Sequence, residues 1–424
     1  MVSKDVIDYM SKEEILDLQN KKLSEIIPYI ADITFYKKKM IDKDININDI
    51  KEISDLQKLP FTTKEELRLS KPLEQTSLSY DGIAFFFSSS GTTGQPSVYP
   101  WSNQDDLVLK EVSSRCMKRV GVGPGDISLV LAPFGMPIMW YCMITQYLAT
   151  GAGVVPLGIA SSSEIVKTMV SFPITSITTL PIVATRLFEF VSKNHITINT
   201  KRLRHFHCGG DYLSNARRRR IENYWNVDCY DFYGLSEIFG PIAGECEAKD
   251  GLHFAADYVI VEVIDPFTKK PVPEGEVGVA VYTTLWKKGA PLLRYWSDDY
   301  ISITWKRCKC GRTSPRIIFK GRSIDSVTIN HKKVFAKDVE EVLLSFPEVS
   351  DEWGVKIEGA AKQSITTVYI EKTSFDIPKE KIENKLSKLL GTPLRLEVIP
   401  SGSFSRENVK PRRIKDERGR GNNS

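Results

Sequence analysis

Phe85-Phe86-Phe87-Ser88-Ser89-Ser90-Gly91-Thr92-Thr93-Gly94-Gln95-Pro96 is the stretch from which the rest of the chain is read. Three aromatic residues form an apolar, strand-like run, and hydroxyls and glycines follow. Glycine at 91 and 94 lets the backbone turn sharply and approach a ligand with no side chain in the way. Successive N–H groups and hydroxyls then make an anion-binding concavity suited to a polyphosphate. Taken alone, such a loop also reads as a Ser/Thr/Gly-rich surface turn. It is not a Walker loop, because Gly91 and Gly94 stand too close together and no Lys-Ser or Lys-Thr follows. It lacks the dinucleotide fingerprint as well.

Outward from this loop, short β-rich runs alternate with helix-length segments. Ile83–Phe87, Ile127–Leu131, Gly153–Leu157, Ile174–Thr178, Leu203–His207 and Val227–Phe232 read as strands. Segments near 103–119, 138–149, 162–170, 182–193 and 213–225 read as helices. That alternation predicts parallel pairing and an α/β architecture, with ligands beyond the carboxyl ends of the strands. Tyr258–Asp265 and Val277–Thr284 alternate without helices and predict a small antiparallel β subdomain. After Phe319-Lys320-Gly321-Arg322 comes a compact β-β-α-β-β-α-β unit with a basic tail from Lys410. The expected domains are therefore a large one over 1–320 and a small, mobile α+β one over 321–424. Upstream, Thr63 with Glu66 three residues on is a capping-box signature.

With 424 residues, 42% of them hydrophobic, the chain has core enough for more than one domain. A net charge of +5 does not argue for nucleic acid. Arg217–Arg220 reads as a solvated face of the helix around it. Ile127 to Ser163 carries no Asp, Glu, Lys or Arg, but Pro133, Gly135, Pro137, Gly151, Gly153 and Pro156 break it, so no membrane span is expected. Seven cysteines, an odd number, with no apolar signal core at Met1–Asp5, fit a reducing cytoplasm.

The dodecamer resembles the phosphate loop of the adenylate-forming acid ligases, the superfamily of acyl-CoA synthetases, carrier-loading adenylation domains and luciferases. Further segments match that pattern in order. Cys208-Gly209-Gly210-Asp211 resembles the turn that lies against adenine, and also reads as a plain strand-to-helix turn. Asp231-Phe232-Tyr233-Gly234-Leu235-Ser236-Glu237 resembles the motif whose tyrosine flanks adenine and acid. In it the resemblance puts Ser236 at the α-phosphate and makes Glu237 the holder of Mg²⁺, a hard cation suited to carboxylate and phosphate oxygens. Leu293-Arg294-Tyr295-Trp296-Ser297-Asp298-Asp299 resembles the segment whose last aspartate takes both ribose hydroxyls. That aspartate aligns as Asp299, with Asp298 the competing assignment. Gly321-Arg322-Ser323-Ile324-Asp325 resembles the joint between the domains, with Arg322 toward ribose or phosphate and Ile324 replacing the usual Asp or Lys hinge. Lys410 aligns with the lysine that reaches the carboxylate and α-phosphate during adenylation, with Lys415 or a merely solvated tail as alternatives. Leu59–Leu67, Tyr233–Glu237 and Cys308-Lys309-Cys310-Gly311-Arg312-Thr313 single out the phenylacetate–CoA ligase branch.

The resemblance implies an ATP- and Mg²⁺-dependent, AMP-forming ligase that activates a carboxylic acid and passes the acyl group to a thiol of CoA or of a carrier-protein phosphopantetheine. Phe134, Met136, Trp140, Tyr233, Phe239, Gly240 and Pro241 lie where the family shapes its acid pocket; the aromatic lining predicts an aryl or arylacetic acid, though plain core packing also accounts for such residues. Cys246, His253, Cys308 and Cys310 form a set with the donors that suit Zn²⁺ in a structural role, with His253 as a surface strand residue the alternative. Cys116, Cys142, Cys208 and Cys229 read as small buried residues. Asn330-His331 replaces the family's Arg-Gly, and Gln95 replaces the lysine after the phosphate loop. The acceptor therefore stays open among CoA, a carrier protein and a nitrogen nucleophile. An enzyme that leaves AMP on a cofactor and a non-catalytic binding protein on the same scaffold are the rival readings. Candidate partners are the acid, an acyl carrier protein and a second copy of the chain.

Overall fold

The hydroxyl loop hangs from a hairpin. In the computed structural model, which describes residues 6–89, 96–330, 332–359, 364–407 and 410–418, Ile83–Ser88 pairs antiparallel with Val98–Ser102, Phe87 opposite Tyr99 and Ser88 opposite Val98. The expectation that Ile83–Phe87 joins the parallel α/β alternation is thus corrected. The physical reason is length: a parallel return needs a crossover of a dozen residues or more, and the chain is back as a strand at Val98. Ser90, Gly91, Thr92, Thr93 and Gly94 fall outside the described residues.

The chain divides into two compact units. The first holds Met1–Ser161, Phe172–Thr178 and Tyr230–Phe319. Here the alternation gives what it predicts. Ile127–Val130 pairs parallel with Gly153–Pro156, through the crossover helix Met139–Leu148, and parallel with Ser176–Thr179. Beyond Tyr230 the pairing turns antiparallel. Asp228–Leu235 pairs with Phe239–Gly244, which pairs with Leu252–Phe254, which pairs with Arg316–Arg322. Val259–Ile264, Gly278–Thr284 and Tyr295–Thr304 form a meander. The result is the α/β fold expected, with a large mixed sheet.

The N-terminal segment is clamped onto this meander. The Thr62 N–H donates to Arg294 O and the Trp296 N–H donates to Thr62 O. Arg294 sits at φ 48, in the left-handed region. Its buried guanidinium is bidentate to Glu262 (3.0 and 2.9 Å), donates to Leu59 O (2.7 Å) and lies over the Phe61 ring. Thr63 caps the helix Lys64–Leu69 through the capping box read from the sequence.

The second unit holds Ser162–Ser171, Thr179–Cys229 and Lys320–Ser424. The hairpin Ser326–Ile329/Lys332–Phe335, the helices Ala336–Leu343 and Lys379–Leu390, and a four-stranded sheet follow the order read for it. Ile414–Asp416 adds one strand, parallel to Trp353–Glu358. Val339, Leu343, Trp353, Val368 and Leu386 form its core.

Arg217–Arg220 is not a solvated face. Arg217 is 2% exposed and bidentate to Glu340 (3.0 and 2.8 Å), which also accepts from Ser214 Oγ. Arg218 donates to Cys229 O, and Arg220 to Val349 O and Phe346 O. Only Arg219 faces solvent, beside Glu341. Buried guanidinium groups persist because each is paired; breaking one such pair leaves an uncompensated charge. No described helix is long and apolar enough to cross a membrane.

Candidate active site

In the first unit the strand Asp228–Leu235 delivers Tyr233, and the turn that follows delivers Ser236 and Glu237. The Tyr233 hydroxyl donates to Asp299 Oδ2 (2.6 Å) and is hydrogen-bonded with Tyr282 Oη (2.7 Å). Burial, and then the Asp299 carboxylate, push the Tyr233 phenol well above its ordinary value, so it stays a donor. Asp299 is buried, whereas Asp298 is exposed at φ 64 and accepts from Trp296 Nε1. The structure thus brings Asp299, and not Asp298, to Tyr233.

Glu237 is buried, with Oε1 lacking a hydrogen bond and the Lys64 ammonium 3.5 Å away. Tyr295 is buried, and its burial, then the nearby Glu237, Asp299 and Tyr99, push its phenol well above the ordinary value. Tyr99 stands opposite Phe87 in the hairpin, one step from Ser88. Ser88 N–H donates to Met136 O, Ser89 N–H to Ser97 O, and Ser97 N–H to Ser89 Oγ. The root of the hydroxyl loop, Tyr233, Glu237 and Asp299 therefore gather in one neighbourhood. Ser236 lies in it beside Tyr99. Asp231 and Phe232 are buried in the strand; the Asp231 N–H donates to Glu245. Gly234 pairs with Pro241, and a Cβ there would collide with Gly240 O, so the two strands cross where only glycine fits.

Of the expected acid-pocket residues, Phe134 and Met136 are half exposed, and the Phe134 and Trp140 rings meet at 5.4 Å. Gly240 lies against Cys142, on the helix that also carries Trp140. Nothing is described of the Phe239 side chain.

In the second unit His205–Gly209 ends in Gly210 at φ 79 and in Asp211. Asp211 accepts from the Tyr212 N–H; burial raises its pKa against the nearby Lys410 and Arg322 charges. Burial and Arg322 lower the Lys410 ammonium, with Asp211 opposing. Gly209, Gly210, Asp211, Arg322 and Lys410 thus form a second group. Lys415, by contrast, is exposed in the strand Ile414–Asp416. His331 falls outside the described residues.

A third group has the donor atoms to hold a metal ion. The donor atoms of Cys246, His253, Cys308 and Cys310 all lie within 4.8 Å of one another. Cys246 Sγ and Cys308 Sγ are 3.7 Å apart, and Cys310 Sγ is 3.5 Å from His253 Nε2. A tetrahedral ion with Zn–S bonds of about 2.3 Å separates two sulfurs by about 3.8 Å, and a disulfide needs about 2.05 Å. His253 Nδ1 faces the Ser314 carbonyl (3.2 Å), an acceptor only, which gives it the proton and leaves the Nε2 lone pair toward the thiols. Burial and then Arg119 pull the His253 imidazole down to about 3. Ser314 Oγ donates to Asp8, which Arg119 and Arg312 also hold. His253 is buried within this set, not a surface strand residue. Cys116, Cys142, Cys208 and Cys229 are buried, as read.

Sequence reasoning missed Lys64, Tyr282, Tyr295 and Lys287. Lys64 lies inside the quoted Leu59–Leu67 stretch and was within reach; Lys287, in a Lys-Lys-Gly turn, carries no signal.

The AMP-binding enzyme family matches residues 26–285, and the AMP-binding enzyme C-terminal domain matches 332–418. The phenylacetate-coenzyme A ligase of Thermus thermophilus is 29% identical over 97% of this chain and 98% of its own length. That of Escherichia coli is 25% identical over 97% of each. In fold the chain is similar to 2-hydroxyisobutyryl-CoA ligase in its postadenylation state, at TM-score 0.89 and 21% identity, over 98% of this chain and 93% of that one.

Proposed function

The chain belongs to the AMP-binding enzyme family, in its phenylacetate–CoA ligase branch, and from that premise we propose that its acid is an aryl or arylacetic acid and its acceptor the thiol of coenzyme A. It is an ATP-dependent, AMP-forming acid–thiol ligase. The carboxylate oxygen attacks the α-phosphorus of ATP, pyrophosphate leaves, and the acyl carbon gains AMP as leaving group. A thiol then displaces AMP. Little covalent chemistry falls to the protein, so its work is positioning and charge stabilisation.

The observation that carries the reading is the buried gathering of Tyr233, Glu237 and Asp299 at the root of the hydroxyl loop. The buried Glu237 carboxylate, whose Oε1 faces the Lys64 ammonium at 3.5 Å, offers the hard oxygen donors that suit Mg²⁺, and Mg²⁺ held there would neutralise triphosphate charge. Asp299 accepts the ribose hydroxyls. Lys410 and Arg322 supply positive charge to the α-phosphate. Phe134 and Trp140 support a flat apolar acid. The test is ATP–pyrophosphate exchange over a panel of acids. Arylacetic and benzoic acids are expected to support exchange and short aliphatic acids to fall well below them; the reverse order contradicts the aromatic assignment.

Cys246, His253, Cys308 and Cys310 would hold a structural zinc, which would pin the loop after Thr304 to the strand Leu252–Phe254. Purified protein is expected to carry about one zinc per chain. Cys308→Ser should lose that metal and melt at a lower temperature. Metal-free protein whose melting is insensitive to chelator would contradict the site.

A further inference from the structure

Lys287 is fully buried, yet the chemistry above does not use it. Its Nζ donates to Glu237 O (2.5 Å) and lies over the rings of Tyr99 (5.2 Å) and Trp101 (5.6 Å). These two residues are next-but-one neighbours on Val98–Ser102, the return strand of the hairpin that bears the hydroxyl loop. The other end of Lys287 is fixed as well. Asp105, in the first turn of the helix Asn103–Arg119 that Ser102 caps, accepts from the Lys288 and Gly289 N–H groups, both at 2.8 Å. Gly289 presses on Pro100 O so closely that a Cβ would collide with it. A side chain held at both ends is a strut. It spans from the loop-bearing hairpin to the backbone of Glu237.

We propose that Lys287 is a positioning residue that fixes the aim of the Glu237 carboxylate relative to the strand Val98–Ser102, so that Glu237 holds Mg²⁺ where the triphosphate needs it. The inference rests on the reading that Glu237 holds Mg²⁺. A merely structural role makes a different prediction. Burying an ammonium is costly, and an apolar chain of similar length is often neutral or stabilising in its place. Methionine at 287 would then leave exchange untouched. A strut, in contrast, is lost with its donor, and a displacement near 1 Å costs up to about 10²-fold in rate.

The experiment titrates Mg²⁺ in ATP–pyrophosphate exchange for wild type, Lys287→Met, Glu237→Gln and the double variant. Lys287→Met is expected to lower kcat by about tenfold to 10²-fold and raise the half-saturating Mg²⁺, with the KM for the acid unchanged. In the Glu237→Gln background it should add no further loss, because Lys287 acts through Glu237. Wild-type kcat and Mg²⁺ dependence in folded Lys287→Met, or additive losses in the double variant, would overturn the proposal. If Lys287→Met does not fold, Lys287→Arg carries the test. Its longer planar head cannot enter between the rings without moving the Glu237 carbonyl, so kcat and Mg²⁺ dependence must shift together; wild-type values overturn the proposal. Glu237→Gln with unaltered Mg²⁺ dependence overturns the magnesium reading and this inference with it. An unaltered Lys287→Met beside an impaired Glu237→Gln overturns the inference alone.

Discussion

Lys410→Ala is expected to lower acid-dependent ATP–pyrophosphate exchange by about 10²–10³-fold, the cost of removing one preorganised donor from a developing charge. Lys410 lies beside Asp211 and Arg322, largely withdrawn from water, where a charge acts through a low dielectric and is worth more than on a solvated tail. The loss should fall on one half of the reaction. Attack of the acid on phosphorus builds negative charge on the α-phosphate; attack of a thiol on acyl-AMP does not. Conversion of preformed acyl-AMP and CoA to thioester should therefore suffer far less, and melting should stay near wild type. Lys415→Ala is the control, since Lys415 is exposed on the strand Ile414–Asp416. Exchange that persists in Lys410→Ala and falls in Lys415→Ala would show the lysine to be misassigned.

The second large effect is expected at Asp299. Its carboxylate is buried and accepts from the Tyr233 hydroxyl, leaving further acceptor capacity for vicinal ribose hydroxyls. Hydrogen bonds to a charged group are worth about 1.5–3 kcal/mol each. Asp299→Asn removes the charge and turns one acceptor into a donor, so the KM for ATP should rise about tenfold to 10²-fold. Discrimination against 2′,3′-dideoxy-ATP should collapse in the same variant. An Asp299→Asn enzyme that still rejects the dideoxynucleotide as wild type does would refute the ribose assignment. A matching collapse in Asp298→Asn would move it one residue upstream, against the exposed position of Asp298.

The parallel α/β portion was legible because its periodicity is local: strand, crossover helix and strand over Ile127–Pro156 each declare themselves. Val98–Ser102 was not, since Pro100 argues against a strand; in a two-stranded hairpin, where both strands are edges, that objection lapses. The arginines at 217, 218 and 220 misled for another reason. Charge reads as solvent exposure until the partner is known, and Glu340 lies 123 residues from Arg217. The site divides the same way. Tyr233, Glu237 and Asp299 sit in contiguous motifs and could be read, whereas Lys287 owes its meaning to Tyr99, Trp101 and Glu237, brought to it only by folding. The four candidate metal donors were legible by type; that folding brings their donor atoms within 4.8 Å of one another was not legible in their spacing.

The most direct measurement follows oxygen. An arylacetic acid labelled with ¹⁸O in both carboxylate positions is turned over with ATP, Mg²⁺ and CoA, and the nucleotide product is weighed by mass spectrometry. If the acid attacks the α-phosphorus and a thiol then releases AMP, the bridging oxygen stays behind, and AMP carries a single ¹⁸O beside an acyl-CoA thioester. Unlabelled AMP, or label in inorganic phosphate with ADP as the nucleotide product, would contradict adenylation of the acid.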